Sequence, residues 1–341
     1  MKFTQFAVFI AMATVGFAAD EPAPVAISDT PPAVQKTINT RIGDGKLGGI
    51  DRLNESGDIS FDVDYTTKDG DERGFTVAGD GQLLSTSVGL AETPAVVQKT
   101  IQAQAASWSV EGIDKNLADS EISYDVAITK DGKEKSFTVA EDGTVLTAEV
   151  ALAEAPAAVQ KAIGTQAPGW EVESIDENLD EATPTFEVDV IKDGKEKDFT
   201  FASDGALLSM EVTLDDAPAP AQATIKKQLA DGTIKSIDEN FDPAGNTFDV
   251  EAVAKDGSPN CFTVGAGGWL RSVEVTLDQV HPAARDTIKN QIGDGTILRI
   301  DKSLVEKKDK VLPYRVEGRK DGKPFNFSVG PKGKFLGIDP P

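Results

Sequence analysis

With 341 residues, 34 Lys and Arg against 57 Asp and Glu, the chain carries a formal charge of −23; 39% of it is hydrophobic and 27% charged. That composition excludes wholesale disorder, and the acidic excess disfavours nucleic-acid phosphates and anionic lipid surfaces, leaving cations and basic proteins as the favoured partners. Cys261 is the sole cysteine, so an intrachain disulfide framework is excluded and stability must come from packing.

Residues 1–18 read as a secretory signal. Lys2 supplies the positive start, Phe6 to Val15 is apolar apart from Thr14, and Gly16 and Ala18 are small residues placed for cleavage after Ala18. The apolar run is too short for a bilayer span, no second one follows, and no Cys stands at the cleavage point, so the mature chain is expected free in the periplasm or outside, with no membrane span. Residues 19–29 read as a disordered lead-in.

From residue 30 one pattern recurs five times. Ile-Asp appears at Ile50, Ile113, Ile175, Ile237 and Ile300, at intervals of 63, 62, 62 and 63 residues. Earlier in each repeat stands Ile38, Ile101, Ile163, Ile225 or Ile288, and later a Lys-Asp-Gly at Lys68, Lys130, Lys192, Lys255 or Lys320. The repeats are placed at 30–92, 93–154, 155–216, 217–279 and 280–341.

Each repeat opens with a helix. Pro31, Pro94, Pro156 and Pro218 suit its first turn, where a missing N–H costs nothing, and Thr30 and Thr93 are N-cap candidates. Val34, Ile38 and Ile42 fall at i, i+4 and i+8, as do Val97, Ile101 and Ala105, giving one apolar stripe. Gly43, Gly169, Gly232 and Gly293 are stop signals.

Four strands follow. In the first, Val110 and Ile113 are three apart, which predicts a bulge. In the second, Phe61, Val63 and Tyr65 alternate with Asp62 and Asp64, as Phe186, Val188 and Val190 do with Glu187 and Asp189, so one face is buried and one wet. Asp69-Gly70, Asp131-Gly132 and Asp193-Gly194 mark tight hairpins. A second turn at Asp142-Gly143 or Asp204-Gly205 leads to the fourth strand. The expected fold class is α+β: five tandem modules, each one helix packed on a four-stranded antiparallel sheet.

PAVVQKTI at 94–101, the following Ile-Asp, Tyr124-Asp125-Val126, KDGKEKSFTVA at 130–140 and Gly143 to Leu146 together resemble the PepSY-like domain family, and their tandem use resembles bacterial β-lactamase-inhibitor-like proteins. The resemblance covers about residues 30–341. It implies an exported or envelope-associated protein, with restraint of peptidases or binding of other proteins among the activities of such families. It supplies no catalytic positions.

The residues themselves point away from catalysis. His281, the sole histidine, has no partner motif and reads as a surface residue near a helix start. Cys261 aligns with Ser136, Asp198 and Asn326 at an outward position and lacks an activating neighbour. The Asp-Gly turns lack the spaced oxygen ligands and closing Glu of a calcium loop. No enzyme, no metal site and no cofactor is expected. The candidate partner-facing residues are the wet-face acids Asp62, Asp64, Asp125, Glu187, Asp189, Asp249 and Glu251. Residues 280–341 hold 13 basic and 8 acidic side chains, or +5, leaving −28 elsewhere, so the fifth repeat reads as a cap or an end-to-end contact. Two functions stand: a non-enzymatic repeat protein that binds a partner with a basic face, a peptidase among the targets, and a structural or weakly divalent-cation-binding envelope protein.

Overall fold

The five apolar stripes form five helices. In the computed structural model, which describes residues 23–55, 58–117, 122–179, 183–304, 313–320 and 323–339, they are the α-helices present, against twenty-two strands among the described residues. The expected signal at 1–18 lies outside those residues, as do Lys307, Lys308 and Lys310 of the basic fifth repeat. The chain divides into two compact units, residues 1–190 with 202–205 and residues 191–201 with 206–341, so the division falls within the third sequence repeat.

The first unit runs β1 (Ala23–Pro24), α1 (Pro32–Ile42), β2 (Lys46–Glu55), β3 (Asp58–Thr66), β4 (Glu72–Ala78), β5 (Leu83–Ser87), α2 (Ala95–Ala105), β6 (Ser109–Asn116), β7 (Ser123–Lys130), β8 (Lys133–Ala140), β9 (Val145–Glu149), α3 (Ala157–Gln166), β10 (Glu171–Asn178) and most of β11 (Thr185–Lys192). The second holds most of β12 (Lys195–Ala202), then β13 (Leu207–Glu211), α4 (Ala219–Leu229), β14 (Thr233–Asn240), β15 (Thr247–Val253), β16 (Phe262–Gly265), β17 (Leu270–Glu274), α5 (Pro282–Ile292), β18 (Thr296–Ser303), β19 (Tyr314–Lys320), β20 (Lys323–Pro324), β21 (Phe327–Val329) and β22 (Phe335–Ile338).

The expectation of five modules, each with its own four-stranded sheet, is corrected by the strand pairing. β5 pairs antiparallel with β6 and β9 with β10, so β1 to β10 run on as one sheet in the first unit. In the second, β13 pairs with β14 and β17 with β18, and the sheet continues from β12 to β22. Periodicity fixes where strands fall but not where a sheet stops. A fourth strand joined by a short link to the next helix leaves its edge beside the next first strand, and pairing the two satisfies backbone groups on both.

Within each unit, helices pack on one face of its sheet: α1 and α2 in the first, α4 and α5 in the second. Val34 and Ile38 pack with Ile50, Phe61, Val63, Phe75 and Val77, and Val97, Ile101 and Ala105 pack with Ile113, Tyr124, Val126, Phe137 and Val139. In the second unit Ala221 and Ile225 meet Ile237, Phe248 and Phe262, and Ala284, Ile288 and Ile292 meet Ile300, Tyr314 and Phe327. Each fully buried Val or Ile contributes about 1.5–3 kcal/mol.

A second device fixes helix to sheet. Thr37 Oγ1 donates to the Gly81 carbonyl at 2.7 Å, and Thr100, Thr224 and Thr287 do the same to Gly143, Gly268 and Gly333 at 2.6–2.8 Å. The approach requires glycine: at Gly81, with φ of +90°, a Cβ would stand 2.9 Å from Ala33.

Two local expectations change. Thr30 and Thr93 are not N-caps; Pro31 and Pro94 occupy that position, and the buried threonine hydroxyls donate to the Ile27 and Leu90 carbonyls. Residues 23–29 of the expected disordered lead-in are ordered as β1 and a 3₁₀ turn at Ile27–Asp29. Val25 N–H donates to the Ile50 carbonyl at 2.9 Å, as Val88, Val150, Val212 and Val275 donate to Ile113, Ile175, Ile237 and Ile300 at 2.8–2.9 Å. The lead-in thus takes the place of a preceding fourth strand and covers part of the β2 edge.

Candidate functional site

On the sheet face opposite the helices, the first strand of each repeat supplies the aspartate of Ile-Asp. A register shift falls between Leu47 and Gly49, Val110 and Gly112, Ile234 and Ser236, and Ile297 and Arg299. This is the bulge the three-residue spacing demands; beyond it the isoleucine of Ile-Asp enters the core and alternation turns the aspartate to the other face.

That aspartate meets further carboxylates. Asp51 stands opposite Asp62, Asp114 opposite Asp125 and Asp238 opposite Asp249. On its other side, across the pairing that links successive repeats, Asp176 stands opposite Glu149, Asp238 opposite Glu211 and Asp301 opposite Glu274. Directly paired residues have Cβ atoms about 4.5–5.5 Å apart, where like charges repel. Burial first, and then Asp125 and Asp62, push Asp114 up to about 6. Asp176 is pushed to about 6 by burial, Glu149, Asp189 and Glu187, and Asp238 to about 6 by burial, Asp249, Glu251 and Asp198. Glu211 reaches about 7 through burial, Asp198 and Asp238, with Lys197 opposing and Glu196 adding.

The seven acids expected to face a partner divide into two kinds. Asp125 is 6% exposed, accepting from Asn116 Nδ2 at 2.6 Å and Thr138 Oγ1 at 2.7 Å. Asp249 is exposed, yet accepts from Asn240 and Thr263 in the same way at 2.8 and 2.6 Å. Asp62 takes Thr76 Oγ1 at 2.6 Å, Glu187 takes Asn178 Nδ2 at 3.1 Å, and Asp189 takes Ser174 Oγ. These five latch neighbouring strands. Asp64 and Glu251 are exposed, as Asp249 is; Asp64 is raised by burial, Asp51 and Glu72. The sequence reading passed over Asp114, Asp176, Asp238 and Glu211. The signal was present, since an aspartate follows a core isoleucine at all five Ile-Asp positions and alternation alone puts it on the wet face.

The fifth repeat departs from this pattern. Arg299 stands where Gly49, Gly112, Ser174 and Ser236 stand, and its Nε is 2.9 Å from Asp301 Oδ2. Arg315 lies opposite Asp301, in the position of Asp249.

The other candidates hold no reactive constellation. His281 is the N-cap of α5, its Nδ1 accepting from Ala283 N–H at 3.3 Å. Cys261 is half-buried, and burial followed by the neighbouring Glu274 pushes its thiol up to about 11. Among the described residues no group of three or more His, Cys, Asp or Glu is arranged to hold a metal ion, and no helix is long and apolar enough to cross a membrane.

No protein-family model and no curated protein matches the chain. Among solved structures it is similar to a β-lactamase-inhibitor-like protein from Bacteroides fragilis, at 23% identity over 34% of this chain and 83% of that one, with a TM-score of 0.26. It is also similar to a Bacteroides vulgatus protein of the DUF2874 family, provisionally described as periplasmic, at 18% identity over 37% and 95%, with a TM-score of 0.25. A Bacteroides thetaiotaomicron protein, provisionally described as calcium-regulated and periplasmic, matches at 18% over 38% and 97%, with a TM-score of 0.27.

Proposed function

We propose that the chain is an exported, periplasmic or secreted, non-enzymatic protein that binds a partner with a basic surface through the carboxylate-bearing face of its sheet. The carrying observation is the set of like-charged rows, in which Asp114, Asp176, Asp238 and Glu211 stand opposite other carboxylates, the three aspartates pushed up to about 6 and Glu211 to about 7. A cationic group docked there relieves the repulsion and ionises the acids, so binding energy is gained from strain already present in the free protein. Export rests on the signal-like segment 1–18. The resemblance of the landmark residues to the PepSY-like domain family, and of their tandem use to β-lactamase-inhibitor-like proteins, extends the reading to regulation of a peptidase.

The test immobilises residues 19–341 and passes periplasmic and secreted fractions at low and high salt, beside a variant carrying Asp114→Asn, Asp176→Asn and Asp238→Asn. A basic protein held by the native chain, released by salt and not held by the variant supports the reading. Equal retention by both proteins, or no retention by the native chain, overturns it.

A further inference from the structure

The fourth and fifth repeats present the same backbone site with opposite contents. In the fifth, a glutamate on the preceding strand (Glu274) faces the aspartate (Asp301), and the residue two before that aspartate, just past the bulge, is Arg299. Its Nε stands 2.9 Å from Asp301 Oδ2 as an ion pair, within the influence of Glu274, while that Nε and Asp301 Oδ1 make no hydrogen bond among the described residues. In the fourth, Glu211 faces Asp238 in the same register, and the residue just past the bulge is Ser236. Alternation puts Ser236 on the face of Asp238, and register puts it opposite Glu251. Ser236 is 3% exposed, and among the described residues its Oγ has no hydrogen-bond partner. Buried hydroxyls are seldom left so, because the loss of hydration is uncompensated. In the third repeat the equivalent Ser174 is satisfied by Asp189.

The fifth repeat therefore holds an arginine built into the chain where the fourth holds acids and an unsatisfied hydroxyl. From this we infer that Glu211, Asp238 and Ser236 form a socket for one guanidinium group, supplied by an arginine side chain of the partner. The socket rests on the proposed binding of a basic protein and names the group that is bound. A planar guanidinium donates to two carboxylates at once and has donors left over for a serine oxygen, which a spherical cation does not match in direction. The charged groups around Glu211 are Glu196, Lys197 and Asp198 on β12 and Asp238 on β14, and Asp238 is faced by Asp249 and Glu251 on β15. Because Glu211 and Asp238 must ionise to hold the cation, affinity rises with pH through the range from about 6 to about 7.

The test titrates residues 19–341 with fluorescently labelled tri-arginine and tri-lysine peptides at low salt, at about pH 5 and about pH 8. Ser236→Arg supplies the guanidinium from within the chain, as Arg299 does, and weakens tri-arginine binding about tenfold or more. Glu211→Gln keeps the size of the side chain, removes the charge, and gives the same loss should the arginine variant fold poorly. Native tri-arginine binding that strengthens toward about pH 8 and exceeds tri-lysine binding completes the expected result. Tri-arginine binding unchanged by both variants overturns the socket while leaving the acidic-face reading standing. Equal affinity for tri-lysine overturns the guanidinium assignment. Absence of binding of either peptide to the native chain overturns the socket and the wider reading together.

Discussion

Replacing Asp114 by Asn keeps the shape of the side chain and removes one charge from the row that Asp114 shares with the buried Asp125. In the native chain Asp114 is raised from 3.8 to about 6, by burial before any neighbour and then by Asp125 and Asp62. The protonated form is the one the fold tolerates. Its stabilising contribution is full below the unfolded value of 3.8 and is lost as pH rises through about 6. Linkage sets the ionised penalty at about 3 kcal/mol near pH 8 and about 1 kcal/mol near pH 4.5, before solvent relaxation lowers both. The asparagine variant is free of that titration, so its advantage over the native chain is expected to be about 1–2 kcal/mol larger near pH 8 than near pH 4.5. Urea unfolding of both proteins at the two pH values, at low salt, reads the difference directly. An asparagine variant equally destabilised at both pH values would mean that Asp114 is held by hydrogen bonds the fold needs, and the strain argument would fail.

Gly81→Ala forces a Cβ to within 2.9 Å of Ala33 at a φ of +90°. A loss of about 2 kcal/mol or more in urea unfolding is expected, and a loss under about 0.5 kcal/mol would show that the helix–turn contact is loose. With its thiol pushed up to about 11, Cys261 is expected to alkylate with iodoacetamide at least tenfold more slowly than a free cysteine at about pH 8. Alkylation at the free-cysteine rate would refute its burial beside Glu274.

The helix stripes, the bulge and the turns were legible because each has a local cause. Val97 and Ile101 repeat on one helix face, Val110 and Ile113 are out of phase for a strand, and the Asp131-Gly132 hairpin has positive φ at both residues (52° and 75°). Two features were not legible. Continuity of the sheet across β5–β6 depends on which edge meets which, a non-local property that the short link at residues 88–94 permits but does not specify. The role of residues 23–25 was hidden by composition: Pro22 and Pro24 look like linker, yet Pro is also an edge-strand residue, and the β2 edge has places for Val25 N–H and for two extended residues. At the acidic face, the pattern revealed which side the strand-two acids lie on, but not that Asn116 and Asn240 would tie up Asp125 and Asp249. Attention to wet-face charge alone therefore selected several latches and passed over the strained Ile-Asp aspartates.

The contrast between repeats bears on why the strain persists. Carboxylates set opposite carboxylates, partly out of water, are destabilising at neutral pH, and a substitution that supplies a cation removes the conflict. The fifth repeat makes that substitution at Arg299 and Arg315 without altering register or bulge, so the backbone accepts the remedy. The second, third and fourth repeats keep Gly112, Ser174 and Ser236 at the same point, and their aspartates remain raised. A local rule broken in three places and obeyed in a fourth, on one scaffold, is not a limit of the fold. It is the pattern expected where a fold gives up stability for a site. On the proposed reading, the acidic rows of the second to fourth repeats take the partner's cation and the fifth, with Arg299 and Arg315 in place, does not.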